Sequence, residues 1–349
     1  MQSSSSGGVL ARAGLALLQR LPPETSHAVG LHALRLTRRW WRAPAASPAL
    51  EVRILGQRFA HPVGLAAGFD KNGDYLDALG ALGFSHVEIG TVTPRAQPGN
   101  PKPRLFRARE SGALINRMGF NNKGADHVAA QLRSASFRGI RGVSIGKNAG
   151  TPLARAADDY VECLRKLHAH ADYFAVNVSS PNTQGLRELQ AAEALAGIVE
   201  PLQREARELA ARQGRQVPLL VKISPDLSAA ELSALCRALL HHGIDGVIAT
   251  NSSTSIELPG PASAMVGENK GGGVSGAPLT SRALHVLTEL RRELGAAFPI
   301  ISVGGVMSAA DAMARMAAGA NLVQLYTGFV YRGAPLLAEI LQALEWPRK

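Results

Sequence analysis

A cluster of small polar residues follows one apolar segment of this chain. The segment Tyr-Phe-Ala-Val at 173–176 continues into Asn-Val-Ser-Ser-Pro-Asn-Thr at 177–183. Amide and hydroxyl groups both donate and accept hydrogen bonds, and Pro181 stiffens the backbone that carries them. This pattern is typical of a strand end that binds a small polar ligand.

Two lysines, Lys71 and Lys222, also follow apolar segments, where a lysine is seldom buried without a partner. Each could be a Schiff-base nucleophile, as in an aldolase, or a fixed cation beside an electron-accepting ring or a carboxylate. Amides recognise the edge of an imide or ureide ring through paired hydrogen bonds, which favours the second interpretation. The asparagines at strand ends or in the adjoining insertion are Asn116, Asn148, Asn177, Asn182 and Asn251.

Glycines follow the last two apolar segments of the chain. Gly304 and Gly305 come after one of them, and Thr327 and Gly328 come after the other. Glycine lets backbone N–H groups approach phosphate oxygens with no Cβ in the way. In an α/β barrel the loops after strands seven and eight commonly bind phosphate. We therefore expect a ligand that carries a phosphate.

Eight short apolar segments, most of them separated by helical patterns, must position these groups. This alternation predicts the α/β class and a parallel (β/α)8 TIM barrel, with an open doubly wound sheet as the alternative. Residues 94–122 predict an inserted hairpin region after strand 2, and the Gly-rich residues 254–277 predict a mobile loop after strand 6. The predicted strands are 62–68, 86–93, 142–147, 173–177, 218–223, 246–250, 299–303 and 321–326, and the predicted helices include 186–212, 228–242, 279–295 and 308–318.

The first 45 residues form a basic extension ahead of a catalytic domain at 46–349, with a linker at 44–48. Residues 1–8 predict disorder, and two amphipathic helices follow, the first ended by Pro22 and Pro23 and the second capped by Thr25 or Ser26. No apolar run reaches the ~20 residues that span a bilayer, and no secretory signal pattern is present. Docking on a membrane surface is favoured over a hairpin packed on its own domain. The apolar positions at helical spacing are Leu10, Leu17, Leu18 and Leu21, then Val29, Ala33, Leu36 and Trp40.

Composition restricts the class of protein further. The 349 residues carry a net charge of +11, and residues 1–50 hold six arginines against a single acidic residue, Glu24. Because no basic stripe with interleaved aromatic residues occurs elsewhere, charge alone does not indicate nucleic-acid binding. Cys163 and Cys236 have no metal-ligand or disulfide spacing, so we expect buried, inert thiols in a reducing compartment and no metal site.

With these residues identified, the chain resembles the dihydroorotate dehydrogenase family over residues 8–345, specifically its class 2, quinone-dependent form. The motifs that carry the resemblance are Ala-Ala-Gly-Phe-Asp-Lys at 66–71, Gly-Thr-Val-Thr-Pro at 90–94, Asn-Arg-Met-Gly-Phe-Asn-Asn at 116–122, the segment 177–183, Val-Lys-Ile-Ser-Pro at 221–225 and Val-Gly-Gly-Val at 303–306. Serines at 252 and 253 stand where threonines are common, and Thr327 stands where serine is common, but each keeps its hydroxyl.

The resemblance implies FMN at the barrel mouth and oxidation of (S)-dihydroorotate to orotate in pyrimidine (UMP) biosynthesis. The positions that match flavin contacts are Ala67, Gly68, Lys71, Thr91, Asn148, Asn177, Lys222, Thr250, Gly276, Gly305, Tyr326 and Thr327. The positions that match substrate contacts are Lys71, Asn116, Arg117, Met118, Gly119, Phe120, Asn177, Asn182, Asn251 and Ser252.

The resemblance also implies catalytic roles. Ser180 matches the base that takes the C5 proton while hydride leaves C6, at a position where class 1 enzymes have a cysteine. A serine hydroxyl is a poor base near neutral pH, and Thr183, near Phe120, is our candidate for passing the proton on. Lys222 would stabilise the charge of the reduced flavin.

The resemblance gives the N-terminal helices a function as a lid that admits a membrane quinone, ubiquinone or menaquinone, as final electron acceptor. His27, Arg107 and Tyr326 match positions that line this tunnel. A monomer attached peripherally to the cytoplasmic side of a bacterial inner membrane is expected.

Three alternatives remain at this point. Another FMN barrel, such as a class 1 enzyme that uses fumarate or a nicotinamide cofactor, is disfavoured by Ser180 and by the basic N-terminus. A membrane-docking binding protein on a barrel scaffold would leave the eight polar or glycine-rich strand ends unexplained. Nucleic-acid binding rests on charge alone and ranks last.

Overall fold

A closed barrel of eight parallel strands forms the centre of the structure, a computed structural model that describes residues 14–183, 185–260, 262 and 272–345. Strands adjacent in sequence lie side by side, and the last strand pairs with the first, with Val323 opposite Val63. Each strand overlaps its predicted segment, so the predicted (β/α)8 barrel is confirmed. The barrel strands are Val63–Leu65, His86–Val92, Ile140–Ile145, Tyr173–Asn177, Leu219–Ile223, Gly246–Ala249, Ile300–Val303 and Leu322–Leu325.

Helices follow the strands and pack around the barrel. The helix predicted at 186–212 begins later, at Ala192, because Leu186–Gln190 forms a 3-10 helix. Ser228 caps the next helix through a reciprocal capping box with Glu231. The helices after the first strand are Leu76–Ala81, Ala125–Ser134, Ala156–Leu167, Ala192–Gln213, Ala229–His241, Thr280–Leu294, Ala309–Ala317, Thr327–Arg332 and Ala334–Glu345. Both cysteines are buried, as predicted.

Alternate residues of the barrel strands face its interior. In the fifth strand, Val221 and Ile223 pack with the surrounding helices, whereas Leu220 belongs to a separate cluster inside the barrel. Because side chains alternate along a strand, Lys222 shares the inward face with Leu220. Phe59, from the hairpin Val52–Ile54 and Gln57–Phe59, joins the interior cluster and covers the amino-terminal end. Polar groups inside the barrel are therefore shielded from water at that end.

A small antiparallel sheet lies beside the barrel mouth. The strands Leu105–Ala108 and Ala113–Asn116 confirm the hairpin region predicted within 94–122. Gly273–Gly276 adds a third strand to it, so the loop prediction for 254–277 is wrong over these four residues. Residues 261 and 263–271 of the predicted mobile loop lie outside the described residues, so the mobility of the loop stays a prediction.

The N-terminal extension packs on this sheet. Residues 14–18 are helical, and the next helix is Pro23–Thr37, so the predicted caps at Thr25 and Ser26 are wrong. Proline is favoured at the first helical position, because its fixed φ suits the helix and the missing N–H has no partner there anyway. Arg104, which directly precedes the strand Leu105–Ala108 of this sheet, pairs with Glu24 at 2.8 Å and fastens the helix to the sheet. The predictions for residues 1–8 and Leu10 fall outside the described residues.

No helix among the described residues is both long and apolar enough to cross a bilayer. The predicted domain boundary at residue 45 stays a prediction.

Candidate active site

A cavity opens at the carboxyl ends of the barrel strands. Its empty space, with the open mouth included, is about 1020 Å³. Lys71 and Lys222 are its charged lining residues, and no carboxylate of the described part of the chain lines it. The cavity is therefore suited to anionic ligands.

Lys222 reaches the cavity from the fifth strand and is paired with a buried carboxylate. Its Nζ lies 3.1 Å from Oε1 of Glu88, which is fully buried inside the barrel. Tyr173 Oη and Gln324 Nε2 donate hydrogen bonds to Oε2 of Glu88 at 3.1 and 2.9 Å. This pairing holds Lys222 as a fixed cation rather than as a nucleophile. Gln324 also lines the cavity, and its buried Oε1 has no partner within the described residues.

Hydrogen bonds around Asn177 join residues at or near the carboxyl ends of the second, third, fourth and sixth barrel strands. Asn177 Nδ2 donates to Thr91 Oγ1 at 2.9 Å, and that oxygen lies 2.9 Å from Ser144 Oγ. Asn251 Nδ2 donates to Ser179 Oγ at 3.1 Å. These bonds fix the orientation of the amides before any ligand binds.

Ser180 and Asn182 present polar atoms to the cavity from the loop after the fourth strand. Ser180 Oγ accepts a hydrogen bond from the backbone N–H of Asn182 at 3.3 Å. Asn182 Nδ2 donates to Asn116 Oδ1 at 2.9 Å, which orients the amide. Asn182 Oδ1 is buried with no partner in the described parts of the chain, so it is available to a ligand N–H group.

Lys71 lies near the N-terminal extension. Its Nζ donates to the carbonyl oxygen of Gly68 at 2.5 Å, and burial lowers its pKa to about 8. The ring of Phe69 lies between His27 and Tyr326, with centroid distances of 4.9 and 5.7 Å. Burial also lowers the pKa of His27 to about 4, so this ring is neutral at pH 7. An aromatic path thus connects the N-terminal helix to the cavity wall.

A family model described as dihydroorotate dehydrogenase matches residues 49–346. The chain belongs to the dihydroorotate dehydrogenase family. A protein of Pseudomonas paraeruginosa named dihydroorotate dehydrogenase (quinone) is 49% identical over 331 residues, which cover 94% of this chain and 96% of that protein. A protein of the same name from Alkalilimnicola ehrlichii is 54% identical over 297 residues, which cover 85% of this chain and 86% of that protein.

Solved structures of dihydroorotate dehydrogenase from Eimeria tenella share the fold. The complex with ferulenol has a TM-score of 0.82 at 35% identity and covers 92% of this chain and 90% of that one. The ligand-free form has a TM-score of 0.83 at 34% identity and covers 90% of this chain and 93% of that one.

Most residues predicted from the family resemblance lie together on the cavity wall. Two of the flavin and substrate positions do not line it. Asn148 is buried behind the wall, where Nδ2 donates to Thr93 and to the carbonyl of Arg95, and Arg117 donates to the carbonyl of Pro103. The predicted residues that do line the cavity are Ala67, Gly68, Lys71, Thr91, Asn116, Met118, Gly119, Phe120, Asn177, Ser180, Asn182, Lys222, Thr250, Asn251, Ser252, Gly276, Gly305, Tyr326 and Thr327.

Three further predicted residues lie outside the cavity lining. Thr183 is buried and does not reach the wall. His27 contacts Phe69, whose ring in turn contacts Tyr326 of the wall, and Arg107 donates to the carbonyl oxygens of Gln19 and Leu21 in the N-terminal extension. The relay and tunnel roles of these residues stay predictions.

Sequence reasoning missed the polar groups inside the barrel. Gln324 lines the cavity from the last barrel strand, and Tyr173 supports Glu88 beneath the cavity. Polar side chains at alternate positions of otherwise apolar strands were the available signal, since residues with a period of two share one face. Glu88 and Gln324 both fit that rule.

Proposed function

We propose that this chain oxidises dihydroorotate to orotate, with FMN as hydride acceptor and a quinone as final electron acceptor. Family membership supports the reaction class, and one observation carries its assignment to this cavity. Ser180, the unpartnered carbonyl of Asn182 and two lysines share one pocket that no carboxylate of the described residues lines. That combination suits an anionic ring with a polar edge.

The residues present fit a flavin mononucleotide. Gln324 Oε1 has no partner among the described residues, and Gln324 and Lys222 both line the cavity. The cavity therefore offers a hydrogen-bond acceptor and a cation to a polar ring. Gly304 and Gly305 have φ angles of 111° and 73°, in the region that favours glycine, and they let the backbone approach a phosphate closely. When bound, FMN supplies the hydride acceptor and the route for electrons to the quinone.

The substrate is held by charge at one end and by amides around the ring. Lys71 pairs with the substrate carboxylate. Asn116, Asn182 and Asn251 bind the ring edge, and the free Oδ1 of Asn182 accepts from a ring N–H. Because hydrogen bonds within the protein already orient the first two amides, little side-chain freedom is lost on binding.

Ser180 removes the C5 proton. Its Oγ lines the cavity and accepts from the N–H of Asn182, which fixes the hydroxyl in place. General-base catalysis needs this positioning as well as a route for the proton to leave. Thr183, three residues along the same loop, is the proposed relay.

The N-terminal extension forms the entry for the quinone and attaches the protein to a membrane. Large apolar side chains of residues 14–40 face solvent, among them Leu36 at 78% and Trp40 at 66% exposure. Arg35, Arg38 and Arg39 are exposed beside them. Apolar and basic side chains on one short segment bind an anionic lipid surface. We place the protein, as a monomer, on the cytoplasmic side of a bacterial inner membrane, in the pathway to pyrimidine nucleotides.

The test is anaerobic reduction of the purified protein. Acid release of the bound chromophore should yield FMN, identified by mass. Dihydroorotate should bleach the visible flavin absorbance and yield orotate. A protein that purifies without flavin, or whose flavin keeps its absorbance with excess dihydroorotate, contradicts the proposal.

A further inference from the structure

Arg187 connects three loops behind the cavity. Its Nε donates to the carbonyl oxygen of Ser179 at 3.4 Å, and Nη2 donates to the carbonyl oxygen of Ser252 at 3.1 Å. Nη1 lies 3.1 Å from Oδ2 of Asp226 and 2.9 Å from Oγ1 of Thr254. Ser179 directly precedes Ser180, and Ser252 itself lines the cavity. A single guanidinium therefore joins the loop with the base to the loop with substrate-binding side chains.

Asp226, in the loop after the fifth strand, anchors Arg187. Its side chain is only 11% exposed, against 25% for Arg187. Oδ2 of Asp226 also accepts from the backbone N–H of Thr254 at 2.8 Å, and Oδ1 accepts from Ser255 Oγ at 2.9 Å. Burial raises the pKa of Asp226, but the hydrogen bonds from Ser253, Thr254 and Ser255 and the charge of Arg187 outweigh it and leave the pKa below its usual value. The anchor is therefore ionised and rigid at neutral pH.

We infer that Arg187 is a positioning residue that holds the Ser180 loop in register with the Asn251–Ser252 segment, so that base and substrate meet at reacting distance. The inference rests on the proposed function. Arg187 does not line the cavity and takes no part in the chemistry. Its effect is on the alignment of Ser180 with the substrate carbon.

Arginine is needed here because of its shape. The planar guanidinium spreads its N–H donors over two carbonyls, a carboxylate and a hydroxyl in fixed directions, whereas a lysine ammonium is a point charge on a flexible stem. Arg187→Lys keeps the positive charge opposite Asp226 but loses the hydrogen bonds to the carbonyl oxygens of Ser179 and Ser252. The variant therefore separates alignment from electrostatics.

Arg282 supplies a matched control. Its Nη1 lies 2.9 Å from Oδ1 of the same Asp226, but its hydrogen bonds go to Ser253 and Ser255 rather than to the carbonyls of Ser179 and Ser252. Arg282→Lys makes the same chemical change at the same carboxylate without touching either loop carbonyl.

The experiment compares the two lysine variants, as full-length flavin-loaded protein, with the unmodified chain. Anaerobic stopped flow gives the rate of flavin reduction by dihydroorotate, and the shift of the flavin spectrum on titration with orotate gives its dissociation constant. Arg187→Lys should lower the reduction rate by about 10- to 100-fold and weaken orotate binding, because misalignment of about 1 Å costs about 100-fold. Its FMN content and urea midpoint should match those of Arg282→Lys, which should stay within about twofold of the unmodified chain in every measurement.

Unchanged reduction and orotate binding in Arg187→Lys overturns the inference, as does an equal loss in both variants. A rate loss that follows FMN loss or a lowered urea midpoint also overturns it, because Arg187 would then only stabilise the fold. Failure of the unmodified chain to reduce its flavin would instead overturn the proposed function.

Discussion

Lys222 Nζ lies 3.1 Å from Glu88 Oε1, and both side chains are buried inside the barrel. Lys222 lines the cavity and Glu88 does not, so the pair presents its positive end to a ligand. Moving charged groups from water into the protein interior costs free energy. Hydrogen bonds from Tyr173 and Gln324 to the Glu88 carboxylate offset part of this cost. The pair thus places a cation beneath the ring-binding region while keeping the barrel interior electrically balanced.

Breaking this pair should destabilise the protein. Glu88→Gln leaves the Lys222 ammonium buried without a counter-charge, so we expect the free energy of unfolding to fall by about 3–5 kcal/mol. Urea unfolding followed by circular dichroism measures it. The double variant Glu88→Gln with Lys222→Met removes both charges and should lose less than the two single variants summed. If the loss in the free energy of unfolding of the double variant equals the sum of the two single losses, the two groups do not interact.

Replacing the proposed base should stop substrate oxidation but not cofactor binding. For Ser180→Ala we expect flavin reduction by dihydroorotate at pH 7.5 to slow by about 10²- to 10⁴-fold, the usual contribution of a general base. Thr183→Val should slow it less, because a relay assists the base and does not replace it. Stopped-flow absorbance gives the rates, and the flavin content per chain should be unchanged. A loss under tenfold in Ser180→Ala excludes it as the base.

Acid should weaken the attachment of the N-terminal helix through His27. Burial, with a smaller contribution from the charge of Lys71, lowers the pKa of His27 to about 4 from an ordinary value of 6.5. Between these values the unfolded chain binds a proton that the folded chain does not, so stability is full above pH 6.5 and falls as the pH drops toward 4. His27→Gln should remove this part of the pH dependence.

Urea midpoints at pH 7.5, 6 and 5 test the assignment. His285, exposed on the helix Thr280–Leu294, is the control, and His285→Gln should keep the pH dependence of the unmodified chain. Buried His86, whose pKa burial lowers to about 3, contributes equally to all variants and leaves a residual dependence. If the urea midpoint of His27→Gln depends on pH in the same way as that of the unmodified chain, the account is contradicted.

Membrane attachment should depend on the exposed apolar side chains of the extension. We expect Leu36→Ser with Trp40→Ser to reduce binding to vesicles that contain anionic lipid at least tenfold, since each removes apolar area that lipid would cover. Leu240→Ser is the matched control, because Leu240 is a 51% exposed leucine on the helix Ala229–His241, away from the extension. Vesicle co-sedimentation measures both. Equal loss in the control would point to general surface hydrophobicity instead.

Local sequence patterns were sufficient to predict the barrel but not its internal contacts. Apolar runs gave all eight strands, and the residues at their ends form the cavity, because barrel strands bring their carboxyl ends to one rim. The strand Gly273–Gly276 was missed, since it pairs with residues about 160 positions earlier and contains two glycines. A strand that forms through pairing over such a separation shows no local pattern of apolar residues from which it could be predicted.

Individual side chains depended on partners that the sequence does not reveal. Asn148 follows a strand as the pattern requires, but Thr93 and the carbonyl of Arg95 use its amide and keep it behind the wall. Gln324 lies within an apolar strand and reaches the cavity because of its register. Hydrogen-bond competition and register thus decide which polar residues reach a ligand.

The most direct measurement follows the electrons out of the protein. Flavin-loaded chain is reduced anaerobically with one equivalent of dihydroorotate and then mixed separately with a soluble ubiquinone analogue, with fumarate and with NAD⁺. The account predicts that the flavin absorbance returns with the quinone, at one quinol per orotate, and stays bleached with the other two. Return of the absorbance with fumarate or NAD⁺ and not with the quinone would contradict it.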